Sequence, residues 1–313
     1  MSAPVASAPP PAPPVHPPTT AVAGLLVVVT IWGFNFGVTK WALGQFPPLA
    51  FTAIRFLLAA ALVALAVRLL EGSLALPRGA FRRLAVLGLI GNTAYQLAFI
   101  SGLARTTATN SALVLASMPV MVAALGTVSG TEQVARRGRQ GLLLASLGVV
   151  VVIAHQGVRF SAATLDGDLL SLVAVFCWAL FTLGVRRLKT PLSPLAITAW
   201  TLILGTPGLL LAGMPQLVTM DWSRVTWLGW AGLIYSSALS LVVAYILWNR
   251  SVRLAGSNRT AIFACLTPIV ATLAAAILLG ERPGLIQLLG GAMVLGGVLL
   301  TTTGGTTAPS TGG

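Results

Sequence analysis

The 313 residues are 56% hydrophobic and only 8% charged, with a mean hydropathy of +0.92 and a formal net charge of +13. A soluble domain of this length carries roughly a quarter charged residues, so the chain has too little charge to cover a globular surface, and the bilayer is its natural solvent. The basic residues occur as small clusters between long uncharged runs rather than as one patch, which excludes nucleic acid as a partner.

Residues 1–20 are dense in Pro and Ala and contain no Lys or Arg, so they lack the basic start of a signal peptide and read as a disordered tail. Residues 306–313 read as a second flexible tail. Between them, charges divide the chain into windows 17–39, 41–67, 84–104, 106–131, 140–158, 169–185, 190–220, 225–249, 260–280 and 283–313. Each window holds one span of about 20 residues. Runs such as VAVFCWALFTLGV show no period-2 alternation, so the spans are helices rather than barrel strands. With the N-terminus in the cytoplasm, inside loops carry Arg68, Arg78, Arg82, Arg83, Arg136, Arg137, Arg139, Arg186, Arg187, Lys189, Arg250, Arg253 and Arg259. Outside loops carry Lys40, Arg105, Arg159, Arg224 and Arg282. That bias puts both termini in the cytoplasm.

Polar residues inside spans invite a functional reading because they are expensive in lipid. In the first span Trp32, Asn35, Phe36 and Thr39 share one helical face. Trp32 lies well inside its window, which favours cavity lining over an interfacial anchor. The second span is interrupted by Arg55, seven residues past Pro48 and about 10 Å along the helix. Two readings stand side by side: a side chain that snorkels outward, or one that faces a cavity and grips a solute carboxylate. In the third span Asn92, Tyr95, Gln96 and Phe99 form one face, with Asn92 about 14 Å past Arg83. An unpartnered amide there costs on the order of 1–3 kcal/mol, so this face must meet water, solute or another helix. Pro119 in the fourth span frees the carbonyl of Leu115, as a gating hinge or a static kink. Gly141 and Gly148 give the fifth span a smooth packing surface.

The chain resembles itself. A shift of 146 residues places Trp32 on Trp178, Lys40 on Arg186, and Pro48 to Ala53 (PLAFTA) on Pro194 to Ala199 (PLAITA). A shift of 149 places Pro119 on Pro268, Glu132 on Glu281, Gly141 on Gly290, and Gly148 on Gly297. The polar faces have echoes: Trp178, Phe181 and Thr182 in the sixth span, and Leu241, Ala244, Tyr245 and Trp248 in the eighth, with Ser237 and Ser240 nearby. Tyr245 and Trp248 read equally as cavity walls or as packing aromatics. Arg55 has no charged echo, since Thr201 takes its place. Each half contains five spans, so the second half enters the membrane upside down. The expected fold is therefore all-α and polytopic, ten helices in two inverted five-helix repeats over 21–157 and 158–305. Inverted repeats let a transporter expose one midplane site alternately to each side.

WGFNFGVTK in the first span, PPLAFTAIRF in the second, and the Pro119, Glu132, Gly148 series with its echo resemble the EamA domain of the drug/metabolite transporter superfamily. That resemblance covers roughly 21–305. It implies ten helices, cytoplasmic termini, and export of amino acids or related metabolites across a bacterial inner membrane.

The lining offers amides, hydroxyls and aromatic walls but no acid, which suits a zwitterionic or mostly apolar solute. Candidate cavity residues are Trp32, Asn35, Arg55, Asn92, Tyr95, Gln96, Trp178, Ser240, Tyr245 and Trp248, with Pro119 and Pro268 as hinges. No Asp, Glu or His falls inside a span, so neither intramembrane catalysis nor an internal proton relay is expected. Cys177 and Cys265 lie in apolar runs without metal-ligand spacing, and no metal or cofactor is expected. The reading is a small-solute exporter in the lipid bilayer, monomer or homodimer; a non-transporting membrane subunit is the runner-up, and an intramembrane enzyme stands behind it. Epitope tags inserted beside Arg83 and Arg187 are expected to react from the same, cytoplasmic side; reaction from opposite sides would overturn the inverted arrangement.

Overall fold

The computed structural model describes residues 18–77, 79–106, 114–115, 117–130, 134–154, 164–270, 273 and 284–303. Every regular element among them is helical, as the uninterrupted apolar windows require. The helices are α1 (Thr19–Ala42), α2 (Pro48–Glu71), α3 (Phe81–Leu103), α4 (Met118–Val128) and α5 (Arg136–Ala154) in the first half. In the second half they are α6 (Leu165–Arg187), α7 (Pro194–Thr219), α8 (Trp227–Ala255), α9 (Ser257–Ile262) and α10 (Leu285–Thr303). Among the described residues six helices (α1, α2, α3, α6, α7 and α8) are long and apolar enough to cross a membrane, while α4 and the Leu288–Thr303 part of α10 are shorter apolar helices. Helix α1 begins at Thr19, inside the segment expected to be tail, because nothing in TTAVAGLL breaks the helix.

Local chemistry sets several boundaries. Pro48 and Pro194 open α2 and α7, where a missing N–H is harmless. The Ser193 hydroxyl accepts from Ala196 N and so caps α7. Gly72 ends α2 at φ 76°, a conformation that disfavours a side chain. Between α7 and α8 the Asp221 carboxylate accepts from the Ser223 hydroxyl and amide and meets Arg224. Those contacts, Ser223 first, hold its pKa below the ordinary carboxylate value.

Helices of one half meet helices of the other antiparallel: α2 and α5 meet their counterparts α7 and α10, while α3 and α1 meet α6 and α8. The end of α2 touches the start of α7 where Ser193 Oγ donates to Glu71 Oε1. At the opposite end, Gln216 Oε1 of α7 accepts from Leu49 N (2.8 Å) and Ala50 N (3.2 Å), capping the start of α2. Along α5 and α10, Gly141 faces Gly297 and Thr301 while Gly148 faces Gly290 and Val294, so the two chains run in opposite senses. Helix α3 lies along α6 with Leu87 against Gly184, Gly91 against Phe181 and Gly102 against Gly167. Helix α1 lies along α8 in the same way, with Gly24 near Leu247 and the Ile31 carbonyl accepting from the Tyr235 hydroxyl at 3.1 Å.

Small residues carry these seams because lipid gives no hydrophobic drive for helix association, leaving close packing to do it. A Cβ added to Gly205 would stand 2.5 Å from the Gly88 carbonyl oxygen, and one added to Gly148 2.6 Å from the Gly290 carbonyl oxygen. The main core runs through all these seams, and a smaller cluster of Ala42, Phe46, Phe51 and Leu233 closes the end where α1 passes into α2. Large apolar side chains such as Leu57, Leu211 and Leu299 stay exposed, facing the hydrocarbon.

Gly297→Ala is expected to lower stability by about 1–3 kcal/mol, the usual cost of overpacking, because its Cβ would lie 2.5 Å from the Gly141 carbonyl oxygen. Gly296→Ala, whose nearest neighbour is Leu144 Cδ2 at 3.6 Å, is expected to be near neutral. Thermal unfolding in detergent by size-exclusion fluorescence separates the two; equal melts would remove the α5–α10 seam.

Candidate functional site

Two helices that carry the expected polar faces are irregular at matching places. Helix α3 has a π-helical turn at Leu89–Ala94 and α8 has one at Ser236–Val243. The 149-residue shift places the first within the second. A π turn inserts one extra residue into a helical turn, and such turns often mark functional sites. It also changes which side chains share a face. Under regular α periodicity Ser237 precedes Leu241, Tyr245 and Trp248. The π turn gives that place to Ser236, and Ser237 turns back to donate to the Leu233 carbonyl at 2.7 Å.

Ser236 is the residue that the sequence did not reveal. Its hydroxyl accepts from Arg55 Nη1 at 3.1 Å and donates to Asn35 Oδ1 at 2.7 Å. Arg55 Nη2 donates to Gln96 Oε1 at 3.2 Å. A continuous polar chain thus links α1, α8, α2 and α3. Arg55 is only 6% exposed, so it does not snorkel to an interface. The rings of Phe51 and Phe56 lie 5.5 and 5.6 Å from its guanidinium carbon, close enough for cation–π attraction. Arg55 has no carboxylate within ion-pair distance among the described residues. The described acids sit elsewhere: Glu71 ends α2, Asp166 and Asp168 start α6, and Asp221 lies between α7 and α8.

An aromatic group stands beside this chain. Trp178 lies 5.0 Å from Tyr95, 5.2 Å from Tyr245, 5.8 Å from Trp248 and 5.9 Å from Trp32, centroid to centroid. Trp32 Nε1 donates to the Ser240 carbonyl at 3.2 Å, so Ser240 contributes through its backbone. The four helices α1, α3, α6 and α8 each supply at least one ring, and the group joins the polar chain through Tyr95 and Tyr245, the electrostatic neighbours of Arg55. Trp32, Asn35 and Tyr95 keep partial exposure while Trp178, Tyr245 and Trp248 are buried.

Nine of the ten expected cavity residues therefore converge. Asn92 is the exception: its Nδ2 donates to the Thr201 carbonyl of α7 at 2.8 Å, beside the close Gly88–Gly205 contact. Its amide serves helix pairing, because the face that meets α7 lies beside, and not on, the face that meets the rings. Pro119, expected in mid-helix, stands in the first turn of α4, where proline is tolerated. Pro268 follows the 3₁₀ turn Phe263–Leu266 within helical residues 267–270. Glu132 and Glu281 lie outside the described residues.

A helical membrane protein that surrounds a buried cation with polar side chains and rings, at the meeting line of its two halves, has the form of a solute carrier. The profile of the EamA-like transporter family matches residues 19–154 and again 165–303. The chain belongs to the EamA-like transporter family. An uncharacterized transporter of Archaeoglobus fulgidus is 32% identical over 89% of this chain and 96% of its own length. The uncharacterized transporter YyaM of Bacillus subtilis is 28% identical over 85% of this chain and 88% of its own. A probable amino-acid metabolite efflux pump of Escherichia coli is 27% identical over 89% and 93%. A solved crystal structure at 18% identity superposes with a TM-score of 0.77 over 90% of this chain and 96% of the other, which shows a shared fold.

Ser236→Ala leaves Arg55 Nη1 buried without a partner and removes the partner of the half-buried Asn35 Oδ1, and is expected to lower stability by about 1–3 kcal/mol. Ser237→Ala, which loses only a bond within its own helix, is expected to stay within about 0.5 kcal/mol. Matched thermal melts check the difference.

Proposed function

We propose that this chain is a secondary transporter that exports small metabolites, amino acids or related solutes, by alternating access around the Arg55–aromatic site. The arrangement is ten transmembrane helices in two inverted repeats over 21–157 and 158–305. Both termini face the cytoplasm of a bacterial inner membrane, and the protein works as a monomer or homodimer. The observation that carries the reading is the antiparallel pairing of α1 with α8, α2 with α7, α3 with α6 and α5 with α10 around one polar-aromatic centre. Two like halves that enclose one site can rock between two arrangements of similar energy, and each exposes the site to one side. The matched π turns in α3 and α8 support it further, since both border the site. The family's double match over the two halves, and relatives named as transporters and probable amino-acid metabolite efflux pumps, support transport rather than catalysis.

Helices α4 and α9 contact each other across the halves; Pro119 lies in the first turn of α4 and Pro268 just past the 3₁₀ turn that follows α9. We assign them the bending points of the switch. The ring faces take an apolar part of the solute and the polar chain orients its polar group.

Purified protein in liposomes is expected to exchange labelled solute in counterflow against a panel of amino acids and related carboxylates. No exchange of any panel member would sink the transporter reading. Gln96→Ala, Tyr245→Ala and Trp248→Ala are each expected to cut counterflow per folded protein about tenfold or more, equivalent to ~1.4 kcal/mol. Unchanged flux in all three would move the site elsewhere.

A further inference from the structure

The chemistry of the site goes further than its shape. Its buried groups are unbalanced in charge and in hydrogen bonding, and both imbalances have the same sign. The only ionised side chain at the centre is Arg55, with no carboxylate beside it among the described residues. Three buried N–H donors of the site have no acceptor: Arg55 Nε, Trp178 Nε1 and Trp248 Nε1. The amide oxygens that face Arg55 and Ser236 are already engaged, Gln96 Oε1 by Arg55 and Asn35 Oδ1 by Ser236, and the unpartnered amide oxygens of Asn92 and Asn249 belong to side chains bonded to α7, away from the rings. A buried cation without a partner and donors without acceptors are both unfavourable. A ligand that brings negative charge and lone pairs relieves both at once.

Resting on the transport reading for its setting, we infer that the preferred solute is a monoanion. It is a planar, apolar body bearing one carboxylate and no ammonium group. The carboxylate pairs with Arg55 and takes up free donors, and the flat body lies among Trp32, Trp178, Tyr245 and Trp248. A guanidinium meets a carboxylate through two parallel N–H donors, and Nε–H is one of the donors that such a fork uses. An ammonium finds no carboxylate there and is repelled by Arg55 across a medium of low dielectric. This narrows the sequence expectation of a zwitterionic or apolar solute, since a zwitterion leaves its cationic end unmatched.

Three compounds with the same ring and different charge test the proposal on the full-length protein: 3-phenylpropanoate, phenylalanine and phenethylamine at neutral pH. Binding is read first, as the shift in melting temperature of detergent-purified protein over a concentration series, then counterflow in liposomes against protein-free vesicles. The expected order is 3-phenylpropanoate over phenylalanine by more than tenfold in apparent affinity, with phenethylamine weaker than phenylalanine. Arg55→Gln is expected to abolish the advantage of the anion, and Arg55→Lys to keep its sign with lower affinity. Because the wild-type order decides by itself, a variant that fails to fold does not blunt the test. Equal or stronger binding of phenylalanine or phenethylamine overturns the inference, as does no binding of any of the three. Binding in the expected order without counterflow of any compound supports the inference and counts against transport. Counterflow that favours phenylalanine or phenethylamine supports transport and overturns the inference.

Discussion

A guanidinium held at membrane depth has no bulk water to solvate it, and the penalty for burying an unpaired ion is several kcal/mol even after relaxation. The surroundings of Arg55 are built against that penalty. Two hydroxyl and amide oxygens accept its terminal N–H groups, two phenylalanine rings present their faces, and the hydroxyls of Tyr95 and Tyr245 are near. These partners come from α2, α3 and α8, and Asn35 adds α1 through Ser236. One charge thereby ties α2 to α3 and α8 and, through Ser236, to α1. Nothing in the set neutralises it, so the site stays electropositive until something negative arrives.

That charge stays in place because the frame around it is rigid. Lipid is as apolar as leucine, so helices in a bilayer associate by fit rather than by exclusion from water. The glycine contacts of α3 with α7 and of α5 with α10 bring backbones so close that no side chain fits between them. Polar end-contacts, Gln216 on the start of α2 and Ser193 with Glu71 at its finish, fix how far α2 and α7 slide past each other. Against that frame the π turns of α3 and α8 are the irregular parts. An inserted residue widens the turn and weakens the regular ladder, so each of these two helices has an adjustable middle. An element of that kind is where a carrier can change shape without dissolving its packing.

Much of the polar and aromatic cluster is legible in the sequence. Trp32, Asn35, Tyr95, Gln96, Trp178, Tyr245 and Trp248 were found because polar or aromatic residues at helical spacing are conspicuous in an otherwise apolar window, and because each half echoes the other. Asn92 shared the spacing of its neighbours yet bonds to α7, since a helical face is wide enough to meet two partners and periodicity does not tell them apart. Ser236 does not share the 3.6-residue spacing of Leu241, Tyr245 and Trp248, which aligns Ser237 with them instead and assumes a regular helix. A π turn shifts the register by one, and the local sequence SSALSLVV carries no breaker that announces it.

The sequence alone determined the solvent, the helical character of the spans and the internal repeat. These follow from composition and period, which are properties of the chain in one dimension. The tertiary structure decided what the repeat left open. It turned Arg55 inward, paired it with Ser236 and Gln96, assigned Asn92 to packing, and left three N–H donors of the site without acceptors. Those outcomes depend on which groups come within about 3 Å of one another. Distances between remote segments are set by how the helices pack, and no single helix records them.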